Sequence, residues 1–167
     1  MKQTLKYIYI IIYEDMRFAE NKHSLILTLS SAVIAFATTF LGGSTRQILC
    51  SVAAIIFALI AILYSFVALI ARNVKVKQKK IKNTGSLIFY KDIIKYDEKT
   101  YIDQVRKNYE FTKIYKPDQM DYDLAKEIIT TAKLSWIKFL YFNFAVLFLI
   151  TSIVFIIVTV LIKGGIW

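Results

Sequence analysis

The chain has 167 residues, of which 57% are hydrophobic and 15% aromatic, and it carries a formal charge of +10. That is too apolar for a soluble domain, in which close to half of the residues face water, so a lipid-facing surface must take up the excess. The Lys and Arg residues are absent from three long stretches and crowded between them, which ties the basicity to membrane topology and excludes a nucleic-acid groove as its explanation.

Residues 1–23 read as a cytoplasmic amphipathic helix, with Tyr7, Ile10 or Ile11, Glu14 and Phe18 at near-helical steps. Glu14, Asp15, Arg17 and Glu20 interrupt the first apolar run, so it is not a cleaved secretory signal. Tyr7 to Tyr13 is too short to cross a bilayer; it either lies among headgroups or packs on the central segment. His23 falls at the expected membrane boundary, where a solvated or interfacial histidine is expected rather than a ligand.

Residues 24–71 form a predicted transmembrane hairpin of two spans, joined by Gly42, Gly43, Ser44 and Thr45. With residues 139–163 these make three uncharged stretches of about 22 to 25 residues, each enough at ~1.5 Å per residue to cross ~30 Å of hydrocarbon. In the first span Ser24, Thr28, Ser31, Ala35, Thr38 and Gly42 recur at steps of four and three. The second repeats the pattern with Ser51, Ala54, Ala58, Ala61, Ser65 and Ala68, and the two stripes come into register when the hairpin folds. Tight packing within one molecule is the plainer reading of these stripes; a homo-oligomer interface or a hydroxyl-lined pore is the sharper one. The third span has a sparser stripe, Ala145, Ser152 and Thr159, which closes the bundle or meets another copy. Cys50 is the only cysteine and lies in an apolar run, so an intrachain disulfide is excluded.

Residues 72–138 make a basic helical segment. Its cluster Arg72, Lys75, Lys77, Lys79, Lys80 and Lys82 reads first as a topology anchor and second as a lipid-headgroup site. Asn83-Thr84-Gly85-Ser86 breaks the helix, and Leu87 to Tyr90 is a short apolar stretch. Asp97 is the predicted N-cap of a helix from Glu98 to about Phe111, with Tyr101, Val105 and Tyr109 on one face. Pro117 is the predicted start of the next helix, with Asp118, Asp121 and Asp123 complementing its dipole. No stop signal follows before Gly164, so this helix is expected to run unbroken through the third span. All but Arg46 and Lys163 of the 22 Lys and Arg residues lie in the N-terminal and central segments, which places both in the cytoplasm and the tail, residues 164–167, outside.

No Asp, Glu, Lys or Arg interrupts the interior of any span, which argues against proton relays and ion-coupled transport. One histidine, one cysteine, no glycine-rich phosphate loop and no H-E-x-x-H pattern leave the enzyme templates unfilled. No catalytic residue, metal site or cofactor is assigned, and the expected class is an all-α, multi-pass membrane protein without enzymatic activity.

Three strings carry a family resemblance: Arg17, Ala19, Glu20 and Lys22 in RFAENKHSLILTLSSA; Asn83, Leu87, Phe89, Ile93 and Tyr101 in NTGSLIFYKDIIKYDEKTY; and Asp123 to Ser135 in DLAKEIITTAKLS. On these the chain resembles the transmembrane effector family of Pycsar bacterial anti-phage systems. The resemblance implies an inner-membrane effector that impairs membrane integrity when infection triggers a cyclic-nucleotide signal. A cyclic pyrimidine nucleotide would be received by the cytoplasmic segment or through a sensor protein, since the separate nucleotide-binding domain of many such effectors has no room here. Two rival readings stand beside it: a membrane anchor or assembly subunit docking a soluble partner, and a small channel or transport protein.

Overall fold

In the computed structural model, which describes residues 1–70, 85–109 and 115–164, every regular element is a helix. In chain order these are α1 (Lys2–Thr38), α2 (Thr45–Ile70), α3 (Tyr90–Ile93), α4 (Glu98–Asn108) and α5 (Gln119–Lys163). Two compact units divide the chain, one from Met1–Ala19 with Ala71–Lys138 and the other from Glu20–Ile70 with Phe139–Trp167. Among the described residues two helices, α2 and the 45-residue α5, are long and apolar enough to cross a membrane. The apolar part of α1 falls short of that standard because hydroxyl residues punctuate it and the helix ends at Thr38. The basic cluster from Arg72 to Lys82, the break at Asn83-Thr84, the expected helix end at Phe111 and terminal Trp167 lie outside the described residues.

The first unit has a core of large apolar side chains. Leu5, Ile8 and Ile12 of α1 pack with Ile93, Tyr101, Ile102 and Val105 from α3 and α4, and with Ala125, Ile128 and Ile129 of α5. The segment before α3 is fastened by polar contacts: the Tyr101 hydroxyl donates to the Leu87 carbonyl at 2.8 Å, and the Gly85 N–H donates to the Tyr96 hydroxyl at 3.1 Å. Gly85 is required by close approach, since a Cβ there would meet the Asp92 Cβ at 2.7 Å. Burial pushes the Tyr101 phenol well above its ordinary range, so it stays a neutral donor.

Helix α5 begins with a reciprocal cap. Asp118 Oδ1 accepts the Asp121 N–H and Asp121 Oδ2 accepts the Asp118 N–H, each at 3.1 Å, so two of the helix's orphan donors are satisfied. This corrects the expected start at Pro117: the helix opens at Gln119, with Asp118 in the capping position and Pro117 before it. Asp97 does cap α4 positionally, with extended backbone, but its side chain makes no capping hydrogen bond. Helix α4 ends at Asn108, and Tyr109 is exposed rather than on the buried face with Tyr101 and Val105.

In the second unit the last part of α1, α2 and the last part of α5 lie side by side. Ile26 clusters with Ala61, Ala145 and Leu149, and Ala37 with Ala54 and Ile156. Numbers rise together on α1 and α5 and fall on α2, so α2 runs antiparallel to both. Where α1 ends, Thr38 and Thr39 donate their hydroxyls to the carbonyls of Ala35 and Phe36 at 2.7 and 2.8 Å, and the backbone tightens to i→i+3 bonds through Leu41. Helix α2 restarts with the Gln47 side chain accepting the Ser44 N–H at 2.8 Å, one arm of a capping box.

Candidate functional site

The second unit packs on small residues. Ser51, Ala54, Ala58, Ala61, Ser65 and Ala68 of α2 are all buried, as the periodic spacing predicts. One of their partners is α5, whose Ala145, Ser152 and Thr159 are likewise buried. The two backbones come close enough for the Ser152 hydroxyl to donate to the Ala54 carbonyl at 2.6 Å. Beside this contact runs a column of rings: Phe57 stacks on Phe148 and Phe155, and Tyr64 stacks on Phe144 and Phe148, with centroids 5.4 to 6.2 Å apart. A cation sits at each end of the uncharged portion. Lys22 Nζ lies 5.0 Å from the Phe142 centroid, and Lys163 Nζ lies 5.4 Å from that of Phe40.

The predicted facing of α1 is overturned. Ser24, Thr28, Ser31, Ala35 and Thr38, and Gly42 beyond the helix end, are exposed instead of meeting the stripe of α2. The buried side holds His23, Ile26, Ser30 and Ala37. In the N-terminal half Leu5, Ile8, Ile12 and Ala19 are inside, and Tyr7, Ile10 and Phe18 are each more than half exposed. Leu5, Ile12, Ala19, Ile26 and Val33 follow one another at steps of seven along α1, the first three buried in the first unit and Ile26 buried in the second. His23 falls on that stripe, so it is buried edge-on against Phe142, with centroids 5.9 Å apart, rather than solvated.

The exposed side of α1 is therefore the unusual surface of the second unit. Its hydroxyls turn back on their own helix: Ser24 donates to Glu20 O, Thr28 to Ser24 O and Ser31 to Leu27 O, at 2.9 to 3.3 Å. The outer faces of α2 and α5 differ, presenting large apolar groups such as Leu49, Leu63, Phe66, Leu147 and Ile150. Leu, Ile and Phe facing outward around a core of Ala and Ser is the arrangement lipid selects, because in hydrocarbon close backbone approach stabilises helix contacts and burial of bulk does not.

The first unit supplies charge at the start of α5. Lys2 pairs with Asp118, and this hydrogen bond holds the Asp118 carboxyl below the usual carboxylate range while raising the Lys2 ammonium. The Tyr115 hydroxyl donates to Asp121 Oδ2 at 2.8 Å, which pushes its phenol up. Sequence reading placed these aspartates near the helix dipole and missed their mutual cap, although the i, i+3 spacing of Asp118 and Asp121 is its signature. It also missed the buried polar positions His23 and Ser30, for which the seven-residue spacing from Leu5 was the available signal.

The family model of the Pycsar effector protein domain matches residues 4–163 of the chain. No curated protein and no solved structure matches it.

Proposed function

We propose, for a chain that belongs to the Pycsar effector family and so serves as an effector of an anti-phage system, that it acts by impairing the bacterial inner membrane in response to a cyclic-nucleotide signal. The observation that carries this reading is the inverted packing of the second unit, small residues inside and large apolar ones outside, on helices of membrane-spanning length. In this reading α1, α2 and α5 each cross the bilayer once, with the N-terminus and residues 72–138 in the cytoplasm, because all but two basic residues lie there. The first unit receives the signal, directly or through a sensor protein, and α5 carries the response, since one uninterrupted 45-residue helix contributes to both units. The response is a loss of the close α2–α5 contact or a change in how copies associate.

The test is induced expression in cells with and without added cyclic pyrimidine nucleotide while membrane potential is followed by a voltage-sensitive dye. Depolarisation that depends on the nucleotide is the expected result. A protein that reaches the membrane in normal amount and leaves the potential unchanged under both conditions would instead be an anchor for a soluble partner.

A further inference from the structure

The hydroxyl groups of the second unit fall into two sets. Those on its outside close on their own helix: Ser24, Thr28, Ser31 and Thr151 each donate to the carbonyl four residues back. Three on its inside do not. Ser30, Ser51 and Ser65 are fully buried, and their hydroxyls make no hydrogen bond among the described residues. The same back-bond is within reach of a helical serine, so these three oxygens stand in the interior with hydrogen-bonding capacity to spare, which is costly in the absence of a ligand.

Their depths follow from the helix contacts. Ile26 meets Ala61 and Ala145, and Ala37 meets Ala54 and Ile156. Because α2 runs antiparallel to its neighbours, one turn from the first contact brings buried His23 and Ser65 to the same depth, and one turn the other way brings Ser30 level with Ala58. One turn beyond the second contact lie Ser51 and Thr159, both buried. Between these ends Ser152 donates to the Ala54 carbonyl. Polar groups thus recur along the interior, with Ser51 and Ser65 about 21 Å apart on α2, and the buried α2 positions between them, Ala54, Ala58 and Ala61, carry only methyl groups.

We propose that the interior of the second unit holds a file of water along these hydroxyls and passes protons through it. This reading rests on the bilayer crossing proposed above and names what crosses. A hydroxyl both donates and accepts, so each serine hands a proton to the next oxygen as it receives one from the last and ends unchanged. Water completes the chain where the hydroxyls are too far apart to bond directly, each molecule held by a hydroxyl and by its neighbours in the file.

The inventory favours a proton over a metal cation. Sodium or potassium gives up its hydration only to several oxygens at one depth, such as a ring of carbonyls, whereas the side chains here supply one or two. A proton moves along the file without being stripped of water. The uncharged spans offer no carboxylate relay, and a hydroxyl-and-water file needs none. The Ser152–Ala54 bond ties α5 directly to α2 across this interior, so the parting of these helices suggested above as the response opens the file further.

The experiment reconstitutes the full chain in vesicles of phosphatidylethanolamine and phosphatidylglycerol that enclose a pH-sensitive dye, with a potassium gradient and valinomycin drawing protons inward. The unaltered chain should acidify the lumen faster than protein-free vesicles do. Ser30→Ala combined with Ser65→Ala should cut that excess on the order of tenfold, because the hydrogen-bonded chain is broken at two depths. Thr28→Ala with Ser31→Ala, on the outside, should leave it unchanged. Thermal denaturation should find the inner pair of substitutions neutral or stabilising, since they remove buried hydroxyls that lack a partner; a purely structural role would alter stability and leave the flux alone. Flux no greater than in protein-free vesicles, an equal fall from both pairs, no fall from the inner pair, or sodium entry as fast as that of protons would overturn the proposal. Cells whose depolarisation persists with Ser30→Ala and Ser65→Ala would keep the proposed function and remove the proton path. Serine-dependent flux in vesicles without depolarisation of cells would do the reverse.

Discussion

The two units solve the packing problem in opposite ways. In the first, Leu5, Ile8, Ile12, Tyr101, Ile102 and Ile128 are fully or almost fully buried and loop ends are tied by hydrogen bonds such as Tyr101 to Leu87. In the second, the buried positions of α2 beyond Gln47 are only Ala and Ser, while Leu63, Phe66 and Ile70 of the same helix are more than half exposed. In the topology proposed above, water drives large apolar groups inward in the first case. Hydrocarbon gives no such drive in the second, so shape and close approach decide which side faces in. The same chain therefore carries two sets of rules, and a substitution has to be judged by the unit in which it falls.

Truncating the first core should have the largest effect. Ile128→Ala removes a fully buried side chain and should cost about 2 to 5 kcal/mol, read by urea denaturation of the detergent-solubilised full chain with Trp136 as reporter. In the second unit the damaging change is an enlargement: Ala58→Leu forces α2 away from its neighbours and should cost about 1 to 3 kcal/mol, whereas Ile56→Leu, half exposed, should be nearly neutral in thermal denaturation. Ala35→Leu should also leave the monomer's stability unchanged, since its site is exposed; a loss as large as that of Ala58→Leu would mean that α1 faces α2 after all. Tyr101→Phe keeps the volume but strands the Leu87 carbonyl, which should cost about 1 to 3 kcal/mol in the same urea experiment.

The smallest effect is with pH. Asp92 is held below its ordinary value of 3.8, chiefly by its hydrogen bond from Lys95, and Asp118 likewise by Lys2. A depressed carboxyl contributes stability that is fully present above the unfolded value and is lost as pH falls through the folded one. Hydrogen exchange at Ser86 and Asp121, whose N–H groups bond to these carboxylates, should therefore gain protection loss only below about pH 4. Loosening already between pH 5 and 7 would show that other groups control these caps.

Sequence reading recovered α2 and α5 well because each has a single small-residue stripe, and one stripe leaves one way to face. Helix α1 offers two. Its hydroxyl stripe, Ser24 to Thr38, and its buried stripe, His23 to Ala37, are both rich in small residues, so composition near the membrane does not distinguish them. What does is the packing of the second unit itself, where Ile26 meets Ala61 and Ala145 and Ala37 meets Ala54 and Ile156. The near-helical steps of Tyr7, Ile10 and Phe18 likewise pick out the exposed side of α1, while Leu5, Ile8 and Ile12 are buried. The caps at Ser44–Gln47 and Asp118–Asp121 follow known spacings, yet neither was read from the sequence; the tie from Tyr101 to Leu87 spans 14 residues and is not a local signal.

Lys22 and Lys163, each over an aromatic ring, bound the uncharged part of the second unit at its two ends. From Phe139 to Lys163 a single helix rises about 36 Å, against a hydrocarbon layer of about 30 Å. In the crossing proposed above, the excess length is taken up by tilt or by the Lys163 ammonium reaching along its stem to the headgroups, at a modest cost for each ångström of mismatch. A thinner bilayer increases the lean and a thicker one rights the helix. Acyl-chain length in reconstituted vesicles is therefore a way to turn α5 without altering a residue.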